Sequence, residues 1–510
     1  MSQAPGSIEK EPSLEAALPS EGEDATANMI DWDGPDDAAN PINWPSRKRW
    51  AHIITVAILG LIPNMATTMV APGIGDVVAD FNVSSSAISS LAVTIFLLGL
   101  ALGPIFLSSM GEVFGRLPVY HAANIVFIAF TVGNALSKNI AQFMVFRFLS
   151  GCAGGMPLAM GGGTIADITF PSKRGFATAL FSLGPLAGPV LGPVIGGFLA
   201  ASNGWRWTFW LLAILGGAVE AATLIVMRET SPKILLERKA SRLCISTGNA
   251  RLRSKLAHKL TSQQVLAQAL VRPTMLLIRS PVVLALSLYA ALVFGVMYLL
   301  FTTFDGVFRG QYGFAASISG LVYLGLGIAL VLGVVIFGNL NPRIQAARMK
   351  ADGVDTPKPE YRLLLMIWLS PCVALGLFIY GWTAYYKVYW IIPIIGTFFI
   401  GLGAYFVLVS STLWCYSTYK TRADRHQMPT QLYLIELFGS KGAASALSAN
   451  NVLRYMGGTF LPLVGPSLYR ALDYGWGNTL LGFLALLFAL PPVLFYKYGE
   501  RLRANEAAVL

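Results

Sequence analysis

Arg147 and Arg454 each stand inside a long apolar run, where an ionised side chain is costly unless it snorkels, caps carbonyls or faces a polar cavity. Both are therefore candidates for holding a ligand or taking part in proton movement. Asn64 and Thr68 place an amide and a hydroxyl in the middle of a second such run, beside Thr67. Tyr289, Phe294 and Tyr298 stand in a third, and Met156 and Met160 follow Arg147. Aromatic and thioether groups suit a cavity for a bulky apolar ligand, although they are ordinary core filler too. Carboxylates are scarce at these depths, which leaves Asp305, Glu436 and Arg147 as candidates for carrying a proton. The inventory argues against an enzyme. His52, His121, His258 and His426 are scattered without metal-ligand spacing, and Cys152, Cys244, Cys372 and Cys415 include no CxxC pair. No phosphate loop occurs, and Gly161–Gly163 lies in an apolar run with no strand before it, so no nucleotide cofactor is expected.

What must position these residues is a set of membrane-spanning helices. The 510 residues are 55% hydrophobic and 12% charged, about half the charge of a soluble domain, with mean hydropathy +0.60. Runs long enough to cross a bilayer fall at 50–72, 86–109, 117–137, 142–165, 176–201, 206–227, 281–304, 315–338, 362–382, 389–413, 443–469 and 478–496. They make twelve spans, six on each side of a polar stretch. The expected fold is all-α, with a six-helix bundle at 47–227, a central loop at 228–279, a second bundle at 280–497 and a tail at 498–510.

Charge placement orients this array. Residues 1–46 hold ten Asp and Glu against Lys10 alone and should form a disordered acidic tail. Eleven Lys and Arg crowd the central loop, and Arg343, Arg348, Lys350, Lys358 and Arg362 follow span 8. The opposite side offers Lys138, Arg206, Arg309 and Lys387. This asymmetry puts both termini in the cytosol. It also makes the net charge of +11 a topology signal and not a nucleic-acid surface. Asn82 opens a lone N-x-S sequon on the outer side, a candidate glycosylation site.

Span 5 carries Gly184-Pro185, Gly188-Pro189, Gly192-Pro193 and Gly196. In water such a run would be loop, but lipid-exposed backbone must be helical, and neighbouring helices can recover the groups that proline frees. Glycines on one face also let another helix approach to backbone contact. The run reads as a bent, closely packed helix where mobile parts of the protein meet.

Together these features resemble the major facilitator superfamily of secondary transporters. Ser108–Tyr120 is similar to its loop motif between spans 2 and 3. Glu112, Gly115 and Arg116 match it, while Ser108 and Leu117 replace a glycine and a basic residue. A carboxylate and a guanidinium there can pair across to the other half and hold one conformation. The stretch Arg147–Gly151, with Gly154, Gly155 and Gly161–Asp167, resembles the second motif, and the Gly-Pro run resembles the signature of the drug:proton antiporter branch. Asp31–Asp36, Asn203–Trp207 and Tyr496–Glu500 look like phrases of fungal twelve-span multidrug antiporters.

The resemblance implies two six-helix halves working by alternating access, with cargo bound at the midplane between spans 1, 4, 7 and 10. It implies export of bulky organic molecules (drugs, toxins or secondary metabolites) driven by protons, with no cofactor beyond the proton gradient, by a monomer in the plasma membrane. Transport of polyamines or small nutrients and uncoupled facilitation are the alternatives. In chains of this kind span 10 runs unbroken into a segment like Tyr433–Glu436, so the polar stretch 414–432 reads as a retained intron. Glu220 reads as a glutamate reaching for the membrane interface, and Asp167 and Arg174 as a possible ion pair.

Overall fold

The computed structural model describes residues 28–256, 280–354, 358–420 and 439–507, with 271, 274, 275, 277 and 278 between them. Among these, eleven helical stretches are long and apolar enough to cross a membrane, and ten of them, from Ser46–Asp80 to Ile391–Ser411, match the expected runs one for one. The eleventh, Ser448–Tyr498, has 51 residues, roughly 75 Å of helix against a hydrocarbon core of about 30 Å. It is two spans. Asp473 leaves helical geometry at φ 53 and ψ 179. Across that bend Tyr469 donates to Asn478 Oδ1 at 3.0 Å, and the Tyr469 and Tyr474 rings lie 4.8 Å apart. The chain therefore has twelve spans in two sets of six.

In the first half span 1 packs on span 5, span 2 on span 4, and span 3 on spans 4 and 6. In the second, span 7 packs on span 11, span 8 on span 10, and span 9 on spans 10 and 12. The halves meet where span 2 lies against span 11 and span 5 against span 8. Lipid tails give helices no hydrophobic reason to associate, so these contacts depend on close packing and hydrogen bonds. Span 1 is broken: the helix Ser46–Thr68 gives way to a tight turn at Ala71–Gly73 before Ile74–Asp80 resumes. Pro72 explains the break, because it has no N–H to return to the Thr68 carbonyl.

Residues 28–43 correct the expectation of a disordered tail over 1–46. Met29–Ile30 pair in parallel with Arg253–Ser254. Lys255 bonds Asp31 at 2.6 Å, and Lys239 reaches Asp33 at 2.6 Å and Asp37 at 3.8 Å. The Lys255 ammonium and the Trp32 N–H hold the Asp31 carboxyl below the usual range, and the N–H groups of Ala39 and Asp33 do the same for Asp37. Composition reports the lack of apolar core, but here ion pairs and a turn order the segment instead. Residues 1–27 lie outside the described residues. So do 421–432 of the suspected intron and Glu436, while 414–420 continue the helix Ile391–Lys420.

Candidate functional site

The glycines of the span 5 run recur every fourth residue and so share one helix face. That face lies on span 1. A Cβ at Gly184 would sit 2.3 Å from Ala57 O, at Gly188 2.6 Å from Asn64 Cβ, at Gly192 2.6 Å from Met65 O, and at Gly196 2.0 Å from Met69 O. Only glycine admits backbones this close. Pro193 cannot return a hydrogen bond to Pro189 O, and Thr68 Oγ1 donates to that carbonyl instead at 3.1 Å. Pro185 fills the groove beside Gly60. The other side of the run meets span 8, where a Cβ at Gly320 would lie 2.5 Å from Pro193 O and one at Gly327 2.3 Å from Val190. Span 5 is thus fused to span 1 on one face and opposed to the other half on the next.

This packing corrects the expected role of Asn64 and Thr68. Both face span 5 and lie buried within the first half, with Asn64 Nδ2 donating to Gly60 O at 2.8 Å. Thr67, about 100° around the same helix, faces the other half. Its Oγ1 accepts from Tyr298 OH of span 7 at 3.1 Å and donates to Asn64 O at 2.7 Å.

Arg147 is 1% exposed. Its Nη2 reaches Val93 O at 2.9 Å, Ala66 O at 3.2 Å and Thr67 O at 3.4 Å, and its guanidinium carbon lies 5.3 Å from the Phe96 ring. Ala66 and Thr67 belong to the last turn before the break in span 1, where helix carbonyls lack partners. The arginine therefore caps the break, and through Thr67 it holds the residue that touches Tyr298.

Hydrogen bonds join the halves elsewhere as well. Thr94 Oγ1 of span 2 donates to Thr459 O of span 11 at 3.1 Å, Arg309 reaches Pro72 O at 3.4 Å, and Arg470 reaches Ser86 Oγ at 3.4 Å. Each of these contacts lies between mid-span and the end marked by Asp80. Asp305, one of the acidic candidates, sits at that end 3.3 Å from Arg309. Arg454 is half-buried on span 11, its guanidinium 5.2 Å from the Phe294 ring and 5.0 Å from the Tyr455 ring. Phe294 in turn lies 4.9 Å from Tyr298. Tyr289 is placed differently: fully buried and stacked on Phe488, it belongs to the interior of the second half.

At the opposite end the loop motif is knotted within its own half. Arg116 Nε pairs with Asp167 at 2.7 Å, and Nη1 donates to Met160 O at 3.1 Å. The Glu229 carboxylate accepts the N–H groups of Arg116, Leu117, Thr230 and Ser231 at 2.9–3.2 Å, capping the start of span 3 with a negative charge. Gly115 takes φ 98, and a Cβ there would lie 2.5 Å from Glu229 Oε2. A Cβ at Gly163 would strike Arg116 Nη1 at 2.1 Å. These partners belong to the first half or to the first residues of the central loop, and none to the second half, so the expected pairing of Arg116 across the halves is not what this structure holds. Glu112 is exposed beside them. Arg174 does not take Asp167 either; it caps Ala166 O at 2.8 Å and Thr169 O at 3.4 Å. Glu220 turns inward, bonding His121 at 2.6 Å and Asn124 at 2.8 Å between spans 3 and 6.

Thr67 was named in the sequence beside Asn64 and Thr68, whereas Thr94, Thr459 and Glu229, which also make these contacts, were not singled out. A hydroxyl in an apolar run is too common to stand out, and Glu229 lies just beyond a span end where acids are ordinary. Among the described residues no three His, Cys, Asp or Glu gather to hold a metal ion.

Residues 56–425 match the model of the Major Facilitator Superfamily. The MFS transporter prlG of Fungal sp. (strain NRRL 50135) is 50% identical, covering 95% of this chain and 98% of its own length. The efflux pump radE of Floropilus chiversii is 43% identical, covering 96% of this chain and 87% of its own length. Among solved structures, the partially occluded, inward open xylose transporter XylE from E. coli superposes with a TM-score of 0.62 at 16% identity, over 89% of this chain and 98% of that one. That likeness is one of fold. The chain belongs to the major facilitator superfamily: it is a multi-pass membrane transporter of twelve helices in two bundles, and not an enzyme.

Proposed function

We propose that the protein exports bulky organic small molecules in exchange for protons, by alternating access of its two halves. The observation that carries this reading is where the halves touch. The contacts Thr67–Tyr298, Thr94–Thr459 and Pro72–Arg309 run from mid-span to the Asp80 end. The charge asymmetry of the loops supports an orientation with that end outside and both termini in the cytosol. This state is then shut outside, and cargo enters from the cytosol toward the midplane. The relative named as an efflux pump supports the outward direction. Asp305 supports proton coupling, since it shares Arg309 with the Pro72 carbonyl of the other half. A proton bound by Asp305 from outside would free Arg309 for that carbonyl and favour the shut gate; its release to the cytosol, completing the exchange, would return Arg309 to Asp305 and let the gate reopen. Asn82, exposed in the turn after span 1 with φ 53, would carry a glycan. The expected setting is a monomer in the plasma membrane.

The test is efflux of fluorescent organic amphiphiles from yeast cells expressing the chain, with and without a proton uncoupler. Efflux that collapses with the uncoupler supports antiport. Efflux that persists would leave a facilitator, and no efflux across the panel would overturn export.

A further inference from the structure

Arg454 is a half-buried cation on span 11. Among the described residues no carboxylate pairs with it, and its buried Nε has no hydrogen-bond partner. The rings of Phe294 and Tyr455 lie 5.2 and 5.0 Å from the guanidinium, a setting that favours a cation while leaving its planar edge free to meet a ligand. Arg454 stands five residues before Thr459 on span 11, or about 7.5 Å nearer the motif end. It therefore lies just past the contact of Thr459 with Thr94 that joins the halves at mid-depth. Arg147 adds a second buried positive charge in the first half, closed off among carbonyls and rings. Every acidic residue in the described spans lies within about two turns of a span end or at the bend at Asp473. Arg454 stands eleven residues inside the run 443–469, farther from a span end than any described carboxylate, while Arg147 lies seven residues inside Ile140–Ile168.

We propose that Arg454 recognises an acidic group on the cargo, so that the transporter selects amphiphilic organic anions: an apolar body bearing one carboxylate or a similar planar oxyanion. This rests on the export reading and adds a substrate class to it. An oxyanion meets the guanidinium edge with two parallel hydrogen bonds, while its apolar body lies against the Phe294 and Tyr455 rings. Polycations would be repelled by both arginines, which sets the polyamine alternative aside.

The test uses the purified full-length protein with pyrenebutyric acid and its methyl ester. Binding is read by energy transfer from tryptophan, and transport in proteoliposomes carrying a proton gradient. Wild type should bind the acid about tenfold tighter than the ester at neutral pH. R454Q should bring the acid down to the level of the ester and leave the ester unchanged, and R454K should keep part of the preference. Equal loss for both probes in R454Q, or no loss for either, would overturn the proposal. Acid binding that depends on Arg454 without transport would uphold the ligand class and sink export. Transport of both probes regardless of Arg454 would do the reverse.

Discussion

The hydrogen bond between Tyr298 and Thr67 gives an asymmetric pair of mutants. Both side chains are buried, and the bond crosses between the halves at 3.1 Å. In Tyr298→Phe the phenolic hydroxyl disappears, but Thr67 Oγ1 keeps its bond to Asn64 O at 2.7 Å. The shut state then loses one ordinary hydrogen bond, about 1 kcal/mol, or roughly a fivefold shift toward the open gate. In Thr67→Val the Tyr298 hydroxyl stays behind, buried and unpaired. That costs nearer 2 kcal/mol, a shift of about thirtyfold. The double mutant should shift the equilibrium no further than Thr67→Val alone, because one bond cannot be lost twice. Spin labels at Ser84→Cys and Ala315→Cys, in a cysteine-free background, report the gap at the Asp80 end by pulsed electron resonance. A larger shift for Tyr298→Phe than for Thr67→Val, or additive shifts in the double mutant, would refute the reasoning.

Other perturbations test the packing that supports this contact. Gly196→Val should lower the Tm of the detergent-purified protein by the equivalent of about 1–3 kcal/mol, because its Cβ would meet Met69 O at 2.0 Å, while Gly217→Ala, with nothing within 4 Å, should leave Tm unchanged. Gly163→Ala should displace Arg116 from Asp167 and cost about as much as Arg116→Ala, roughly 1.5–3 kcal/mol; a Tm drop in the double mutant equal to the sum of the two would contradict it. The folded-state carboxyls of Asp31 and Asp37 sit below their unfolded value of 3.8, so their stabilisation is full above that value and fades as pH falls through the lowered ones. A spin label at Ala39→Cys should accordingly stay immobile from pH 7 down to the usual Asp range near about 4 and loosen below it. Release already between pH 5 and 7 would contradict the ion-pair account.

Much of the architecture was legible because the bilayer fixes it. Span length follows from membrane thickness, and a run such as 281–304 reappears as Pro281–Phe308 with little change. Helix rotation was not legible. Asn64 and Thr68 differ from Thr67 by one step of about 100°, and only the contact with Gly188 and Pro189 shows which of them turns away from the other half. Arg147 stood out because charge in an apolar run is costly, yet its role came from the carbonyls exposed by the Pro72 break, a partner on another helix. The motif residues Gly115 and Arg116 were found by pattern, while Glu229, which bonds the N–H groups of Arg116 and Leu117, lies 112 and 113 residues away along the chain. The acidic tail failed for a related reason. Its lysine partners sit more than 200 residues away, and composition read over a local window does not register them.

The central claim is that the two halves open at one end as they close at the other. Two label pairs in one sample set test it: Ser84 with Ala315 at the Asp80 end, and Lys173 with Asn339 at the motif end. In the resting protein the first distance should be short and the second long, and an imposed outward-facing state should lengthen the first while shortening the second. Two distances that stay fixed, or that change in the same direction, would contradict it.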